Sequence, residues 1–198
     1  VVETRHLLEQ YLAQIKTSAL RAGAIIRRMR NFLRPEQHAR HDQVSPQRLI
    51  AEVCELCHTE TELANVALHI DVDPDVPDVL VDAVQIQQVL VNLIQNSLRA
   101  MQDVDSDRRE LSILCTRQEH LLRFEVLDRG EGFTTIDPDD VFKAFNSTRQ
   151  DGLGMGLAIS RSIVEAHGGS IWAENRLDGG ARLVFTLAAA AGSECYAA

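Results

Sequence analysis

Three short segments of the 198-residue chain carry side chains whose types and spacing could do chemistry. The first is Asn92-Leu93-Ile94-Gln95-Asn96-Ser97-Leu98-Arg99. Asn92, Asn96 and Arg99 stand at i, i+4 and i+7, so they share one helical face. That face interrupts an otherwise apolar helix of Val89, Leu90, Leu93, Ile94 and Leu98. An amide carbonyl oxygen is a hard ligand suited to Mg²⁺, an ion usually held by few protein groups plus substrate phosphates. The Arg99 guanidinium can meet phosphate oxygens. Taken alone, the pattern equally describes a polar stripe on an amphipathic helix.

The second segment is Asp128-Arg129-Gly130-Glu131-Gly132, directly after an expected strand. A carboxylate at a strand end can accept a hydrogen bond from an exocyclic amine, and glycines beside it let backbone approach a flat ring. In isolation D-x-G-x-G reads as a simple turn. The third is Gly152-Leu153-Gly154-Met155-Gly156-Leu157, opening a helix. Alternating glycines at a helix N-terminus direct backbone N–H groups toward an anion. No Lys-Ser/Thr follows, so this is not a Walker A loop, and its spacing does not fit the dinucleotide G-x-G-x-x-G pattern. Alone it reads as a flexible loop.

The elements that must position these segments follow from periodicity. Ser45-Pro46 predicts an N-cap and first helical residue for a helix to about Ala64. Val66–Val72 reads as a strand, followed by the breakers Asp73-Pro74-Asp75-Val76-Pro77. Asp82 with Gln85 predicts a capping box for a helix from 83 to about 101. Leu111–Arg117 and Leu121–Leu127 read as a hairpin, and 129–153 as loop. A helix from about Met155 to His167 stops at Gly168-Gly169. Ser170–Asn175 and Ala181–Leu187 are the last strands. The fold class is α+β: one mixed sheet with helices on one face.

Upstream, Leu8, Tyr11, Ile15, Ser18, Ala22, Ile25, Met29 and Phe32 form a heptad seam, predicting one long coiled-coil-like helix over 1–34. Pro35 ends it. Residues 35–45 read as a linker, 46–188 as the main domain and 189–198 as a frayed tail. Charge follows the same division. Residues 1–43 hold eight Arg/Lys against four Asp/Glu, net +4, and the remainder is net −13. The total of −9 argues against a duplex-DNA binder driven by its overall field. No run approaches the roughly 20 apolar residues that span a bilayer. No signal segment opens the chain, and a first residue of Val reads as a piece of something longer.

Order and spacing make the three segments specific. With Phe142-Lys143-Ala144-Phe145-Asn146-Ser147-Thr148-Arg149 between the second and third, they resemble the N, first glycine, F and second glycine boxes of sensor histidine kinases. That family belongs to the GHKL ATPases, whose nucleotide site is the Bergerat α/β sandwich. The resemblance covers about residues 45–188. Arg21-Ala22-Gly23-Ala24-Ile25-Ile26-Arg27-Arg28-Met29-Arg30 resembles the second helix of the dimerisation and phosphotransfer hairpin, particularly of oxygen-sensor-like kinases.

The resemblance implies roles for ATP and Mg²⁺ as cofactors. Asn92, Asn96 and Arg99 would be the catalytic face, with Asn96 on the metal and Asn92 and Arg99 on the phosphate side. Asp128 would read the adenine N6 amine beside a wall shaped by Gly130 and Gly132. Phe145, Thr148 and Arg149, then Gly152, Leu153, Gly154, Met155, Gly156 and Leu157, would complete the nucleotide contacts. Phe142 and Phe145 would anchor the lid. Ala144 and Asn146 depart from the family's common forms at positions that bear on lid behaviour. ATP-hydrolysing GHKL enzymes carry a Glu base four residues before the metal Asn. Here that position is Asn92, and residue 95 is Gln, which favours transfer to a protein acceptor.

The implied activity is transfer of the ATP γ-phosphoryl group to a histidine, then relay to a response-regulator aspartate. The implied partners are a response-regulator receiver domain and a second kinase chain joined through the N-terminal helix. No nucleic-acid or membrane contact is expected of this segment. His6 lacks the Pro-containing acceptor box and reads as a bland helix residue, so the acceptor is expected upstream of residue 1. Two alternatives remain at this point: a non-catalytic nucleotide-sensing module, and a GHKL serine kinase or anti-sigma-type switch. Cys54-Glu55-Leu56-Cys57-His58 matches the c-type haem pattern, but it lies on a helix whose core face includes Ile50, Val53, Cys54 and Cys57. Core cysteines are expected, and four reduced cysteines suit a cytoplasmic protein.

Overall fold

The computed structural model describes residues 41–134, 137–144 and 154–190. The expected N-terminal helix, most of the linker, the end of the tail, and Phe145, Thr148, Arg149, Gly152 and Leu153 lie outside the described residues.

Helix α1, Pro46–Leu63, starts where expected: Ser45 Oγ accepts from the Arg48 N–H, and Pro46 occupies the first turn. Helix α2, Ala83–Ala100, is capped by Asp82, whose Oδ1 accepts from the Gln85 N–H at 3.1 Å. The other half of the expected capping box is replaced. Gln85 turns to Asp82 Oδ2 (3.5 Å), because the Asp82 N–H donates instead to His167 Nε2 at 3.1 Å. Helix α3, Gly156–Ala166, ends in Gly168, whose φ of +72° is the left-handed conformation glycine adopts at this position.

Strands β2 (Ala67–Val72), β4 (Glu110–Gln118), β5 (Leu121–Asp128), β6 (Ile171–Asn175) and β7 (Ala181–Ala188) form one sheet in the order β2-β4-β5-β7-β6. Only β2 and β4 are parallel; the other neighbours are antiparallel, so the sheet is mixed as expected. Two strands were not legible. Asp42–Val44 (β1), at the end of the expected linker, pairs antiparallel with Val79–Val81 (β3). Three residues are too few to show a period, and the pairing partner lies far along the chain.

The core lies between one face of the sheet and the three helices. Leu111, Ile113 and Cys115 of β4, Leu122, Phe124 and Val126 of β5, and Leu183, Phe185 and Leu187 of β7 alternate inward as a period of two requires. They meet Leu49, Ile50, Val53 and Cys57 of α1, Ile86, Val89, Leu90, Leu93 and Ile94 of α2, and Val164 of α3. Phe124 and Phe185 are cross-strand partners stacked with centroids 4.7 Å apart. Each buried side chain of this size contributes about 1.5–3 kcal/mol. Cys57 and Cys115 are core residues, as expected, and Cys54 is half-buried against the same cluster. Burial pushes the Cys57 thiol to about 11 and the Cys115 thiol to about 12, so both are inert.

Candidate nucleotide-binding site

Helix α2 carries Asn92, Asn96 and Arg99, and its buried side is continuous. Leu90, Leu93, Ile94 and Leu98 fix its rotation against the core, and that rotation places Asn92 and Asn96 at the half-buried margin. Arg99 is exposed one turn on, with its guanidinium 3.4 Å from Asn96 Oδ1.

At Asn92, in its middle, α2 meets the start of α3. Asn92 Nδ2 donates to Ser160 Oγ at 2.9 Å, and Ser160 is buried. The amide lies so close to α3 that a Cβ at Gly156 would stand 2.4 Å from Asn92 Oδ1. Gly154, just before the helix, holds φ +62°. The N-cap of α3, Met155, makes no side-chain capping bond, and its first turn holds no acidic residue. The positive end of the α3 dipole therefore faces the Asn92 side without a protein carboxylate in that turn.

At its C-terminal end, α2 meets the loop after β5. A Cβ at Gly130 would stand 2.7 Å from the Ala100 Cβ and carbonyl oxygen, so the loop backbone rests directly on the helix end. Asp128 is buried, and its Oδ1 accepts from the N–H groups of Gly130 (2.9 Å) and Ala181 (3.1 Å). Burial raises its carboxyl from the ordinary aspartate value. The two N–H groups, the Ser97 hydroxyl and Arg176 act in the opposite direction but do not cancel it. Ser97 Oγ is itself buried, near this carboxyl but without a hydrogen bond of good geometry.

Gly132 holds φ +67°, and the residue after it is gripped from β6. Asn175 Oδ1 accepts from the Phe133 N–H at 2.7 Å, and Asn175 Nδ2 donates to the Phe133 carbonyl at 3.1 Å. Met155 and Leu157 flank the α3 start, half-buried. Phe142 is buried, with the Arg161 guanidinium 4.4 Å above its ring.

The structure thus brings Gly156 against Asn92 in the middle of α2, and Gly130, two residues after Asp128, against Ala100 at its C-terminal end. From residue 92 to residue 100 the helix rises about 12 Å, the scale of a nucleoside triphosphate. Ser97, Ser160, Asn175 and Arg176 escape a reading of motifs. Each works through a contact between elements distant in sequence, and only Ser97 sits within a motif.

Residues 81–191 match the family of histidine kinase-, DNA gyrase B- and HSP90-like ATPases. The chain belongs to that ATPase family. The chain is similar to the sensor protein FixL of Bradyrhizobium diazoefficiens, with 45% identity over 92% of this chain and 36% of FixL. The chain therefore spans about a third of that relative's length. The histidine kinase ThkA, solved in complex with the response regulator protein TrrA, superposes with a TM-score of 0.76 at 26% identity, covering 92% of this chain and 52% of that one. Full-length ShkA, solved with AMPPNP, superposes with a TM-score of 0.66 at 25% identity, covering 79% of this chain and 33% of that one. The ATPase domain is of the sensor histidine kinase type, and its mixed five-stranded sheet with helices is the fold those kinases share.

Proposed function

We propose that this ATPase domain binds Mg·ATP along α2 and delivers the γ-phosphoryl group to a histidine outside residues 1–198. A response-regulator aspartate is the final acceptor, and a second kinase chain is the dimer partner. The reading places the domain in the cytoplasm. It rests above all on one observation: Asn92 and the Gly156 backbone converge at the middle of α2, and Asp128 and Gly130 lie at its C-terminal end.

The roles follow from chemistry. The Asp128 carboxylate, fixed by two backbone N–H groups, accepts a hydrogen bond from the adenine amine, and the glycine wall of 130 and 132 lies against the ring. Although burial raises its pKa, a donor from the base favours the ionised form. The N–H groups that open α3 receive phosphate oxygens, and Arg99 adds a guanidinium. Beyond the described residues, Phe145, Thr148, Arg149, Gly152 and Leu153 belong to the same set.

Mg²⁺ fits the donors present. Among the described residues no group of three or more His, Cys, Asp or Glu could hold a metal. The Asn96 amide oxygen would be one ligand and the nucleotide's phosphates the others, the arrangement this ion favours. Bound there, the ion would neutralise charge on the phosphates. Phosphoryl transfer needs positioning and charge neutralisation more than covalent groups on the protein. The turn before Asn96 holds no carboxylate to activate water. Asn92 engages Ser160, and Gln95 turns to Glu60 on α1 at 3.3 Å.

The test is transfer in trans. The longer protein with Asn96→Ala would be mixed with the 198-residue chain and γ-labelled ATP. Acid-labile label on the longer protein is expected, with none on the chain alone. No label on the longer protein would overturn the proposal.

A further inference from the structure

Asp128 is held twice, and the second hold comes from a place the chemistry does not touch. Its side chain is fixed by the Gly130 and Ala181 N–H groups. Its main-chain carbonyl accepts from Arg176 Nη1 at 3.1 Å. Arg176 follows β6 and begins the turn to β7. The rest of its guanidinium is a fork on Asp178, with Nε to Oδ1 at 3.1 Å and Nη2 to Oδ2 at 2.9 Å. Asp178 also pairs with Arg129 Nη1, and Arg129 Nε reaches Glu110 Oε2 at 3.1 Å. The ladder Glu110, Arg129, Asp178, Arg176 therefore runs from the start of β4 to the Asp128 peptide.

The turn itself leaves no slack. A Cβ at Gly180 would stand 2.1 Å from the Asp128 carbonyl oxygen, and Gly180 holds φ +93°. Ala181, one of the two donors to the carboxylate, comes next. Gly130, the other, lies on the β5 side. Arg176 thus bridges the two segments that supply those donors. Its side chain is only 16% exposed, against 55% for Asp178, so it is the desolvated member of the pair. A bidentate Arg–carboxylate fork fixes direction as well as distance.

We propose that Arg176, locked by Asp178, is a positioning residue that sets the base selectivity of the nucleotide site, by holding the Asp128 peptide so that its carboxylate stays aimed at the amine. This rests on the reading of Asp128 given under Proposed function. A carboxylate selects an amine over a carbonyl only while its geometry holds, because hydrogen bonds weaken steeply with misalignment. Losing the pin lets the Gly130 and Ala181 donors shift relative to each other. The phosphate end, at Asn92 and the α3 start, has no contact with this ladder among the bonds described above.

The experiment compares ATP with ITP, which has a carbonyl in place of the amine, by calorimetric titration with Mg²⁺ present. The parent chain is expected to prefer ATP by about 10-fold or more, the scale of one charge-assisted hydrogen bond. In Arg176→Met and Asp178→Asn the preference falls about 10-fold, while ITP affinity changes less than about twofold. Thermal melts establish that each variant folds, and Asp178→Asn, at an exposed position, carries the test if Arg176→Met does not fold. Unchanged selectivity in the folded variants, or equal loss of both nucleotides, overturns the inference. A parent without preference, or Asp128→Ala that keeps the preference, overturns the Asp128 reading itself. Loss in Asp128→Ala with no loss in the Arg176 and Asp178 variants overturns only the role of the ladder.

Discussion

The side-chain amide of Asn92 donates to Ser160 Oγ across 2.9 Å, joining the middle of α2 to the second turn of α3. This bond orients the Asn92 carbonyl toward the Gly156 backbone, so the asparagine face and the glycine-led helix start act as one unit. Ser160→Ala removes the acceptor and leaves the amide donor to find another. Stability is expected to fall by about 1 kcal/mol in urea denaturation. ATP affinity should fall several-fold while adenosine affinity stays unchanged, because only the phosphate end is disturbed. Equal weakening of both ligands would contradict this placement.

Asp128 predicts a pH effect of a definite sign. Its folded pKa is raised, so between the unfolded value near 4 and the raised folded value the native state binds more protons than the unfolded chain. The group's contribution to the ligand-free protein is greatest below that window and declines as pH rises through it. Asp128→Asn keeps an oxygen for the Gly130 and Ala181 N–H groups and removes the buried charge. The ligand-free variant should melt no lower than the parent at pH 7 and lose that segment of pH dependence. A markedly lower melting temperature at pH 7 would contradict the account.

His167 ties α3 to the first turn of α2. Its Nδ1 donates to the Ile163 carbonyl at 2.8 Å, and its Nε2 accepts from the Asp82 N–H at 3.1 Å. The His41 ring stands against it, centroids 5.2 Å apart. His167→Phe keeps an aromatic ring but leaves the Asp82 N–H unpaired. A loss of about 1–3 kcal/mol is expected in chemical denaturation, and a loss under about 0.5 kcal/mol would mean that water replaces the imidazole.

Arg109 joins the C-terminal ends of α1 and α2. Its three nitrogens donate to the carbonyls of Val104 (2.8 Å), Ala64 (2.7 Å) and Gln102 (2.9 Å). A cation at helix C-termini is favourable for the dipoles as well as the hydrogen bonds. Arg109→Ala should cost about 2–3 kcal/mol, and Arg109→Lys should recover only part, since an ammonium cannot span three carbonyls in a fork. Full recovery by lysine would show that charge alone suffices.

Much of the fold was legible because long elements declare themselves. Leu90, Leu93, Ile94 and Leu98 mark one face of α2, and Leu111, Ile113 and Cys115 alternate along β4. Ser45 and Asp82 mark helix starts because a side-chain acceptor must meet an orphan N–H. What escaped was tertiary. The expected Asp82–Gln85 box is half replaced by His167, which is 85 residues away from Asp82. The pairing of Asp42–Val44 with Val79–Val81 leaves no trace in either three-residue segment. At the site, Asn92, Asn96, Asp128 and the glycines stand out by type and spacing. Ser160, Asn175 and Arg176 are ordinary in their own segments and gain meaning only from what they touch.

The measurement that bears most directly on the central claim is calorimetric titration of Mg·ATP into the parent chain, Asn96→Ala and Asp128→Ala, each confirmed folded by its melt. The account predicts saturable one-site binding to the parent, and affinity reduced about 10-fold or more in each variant. Parent-like binding by both variants would contradict the placement of the nucleotide along α2.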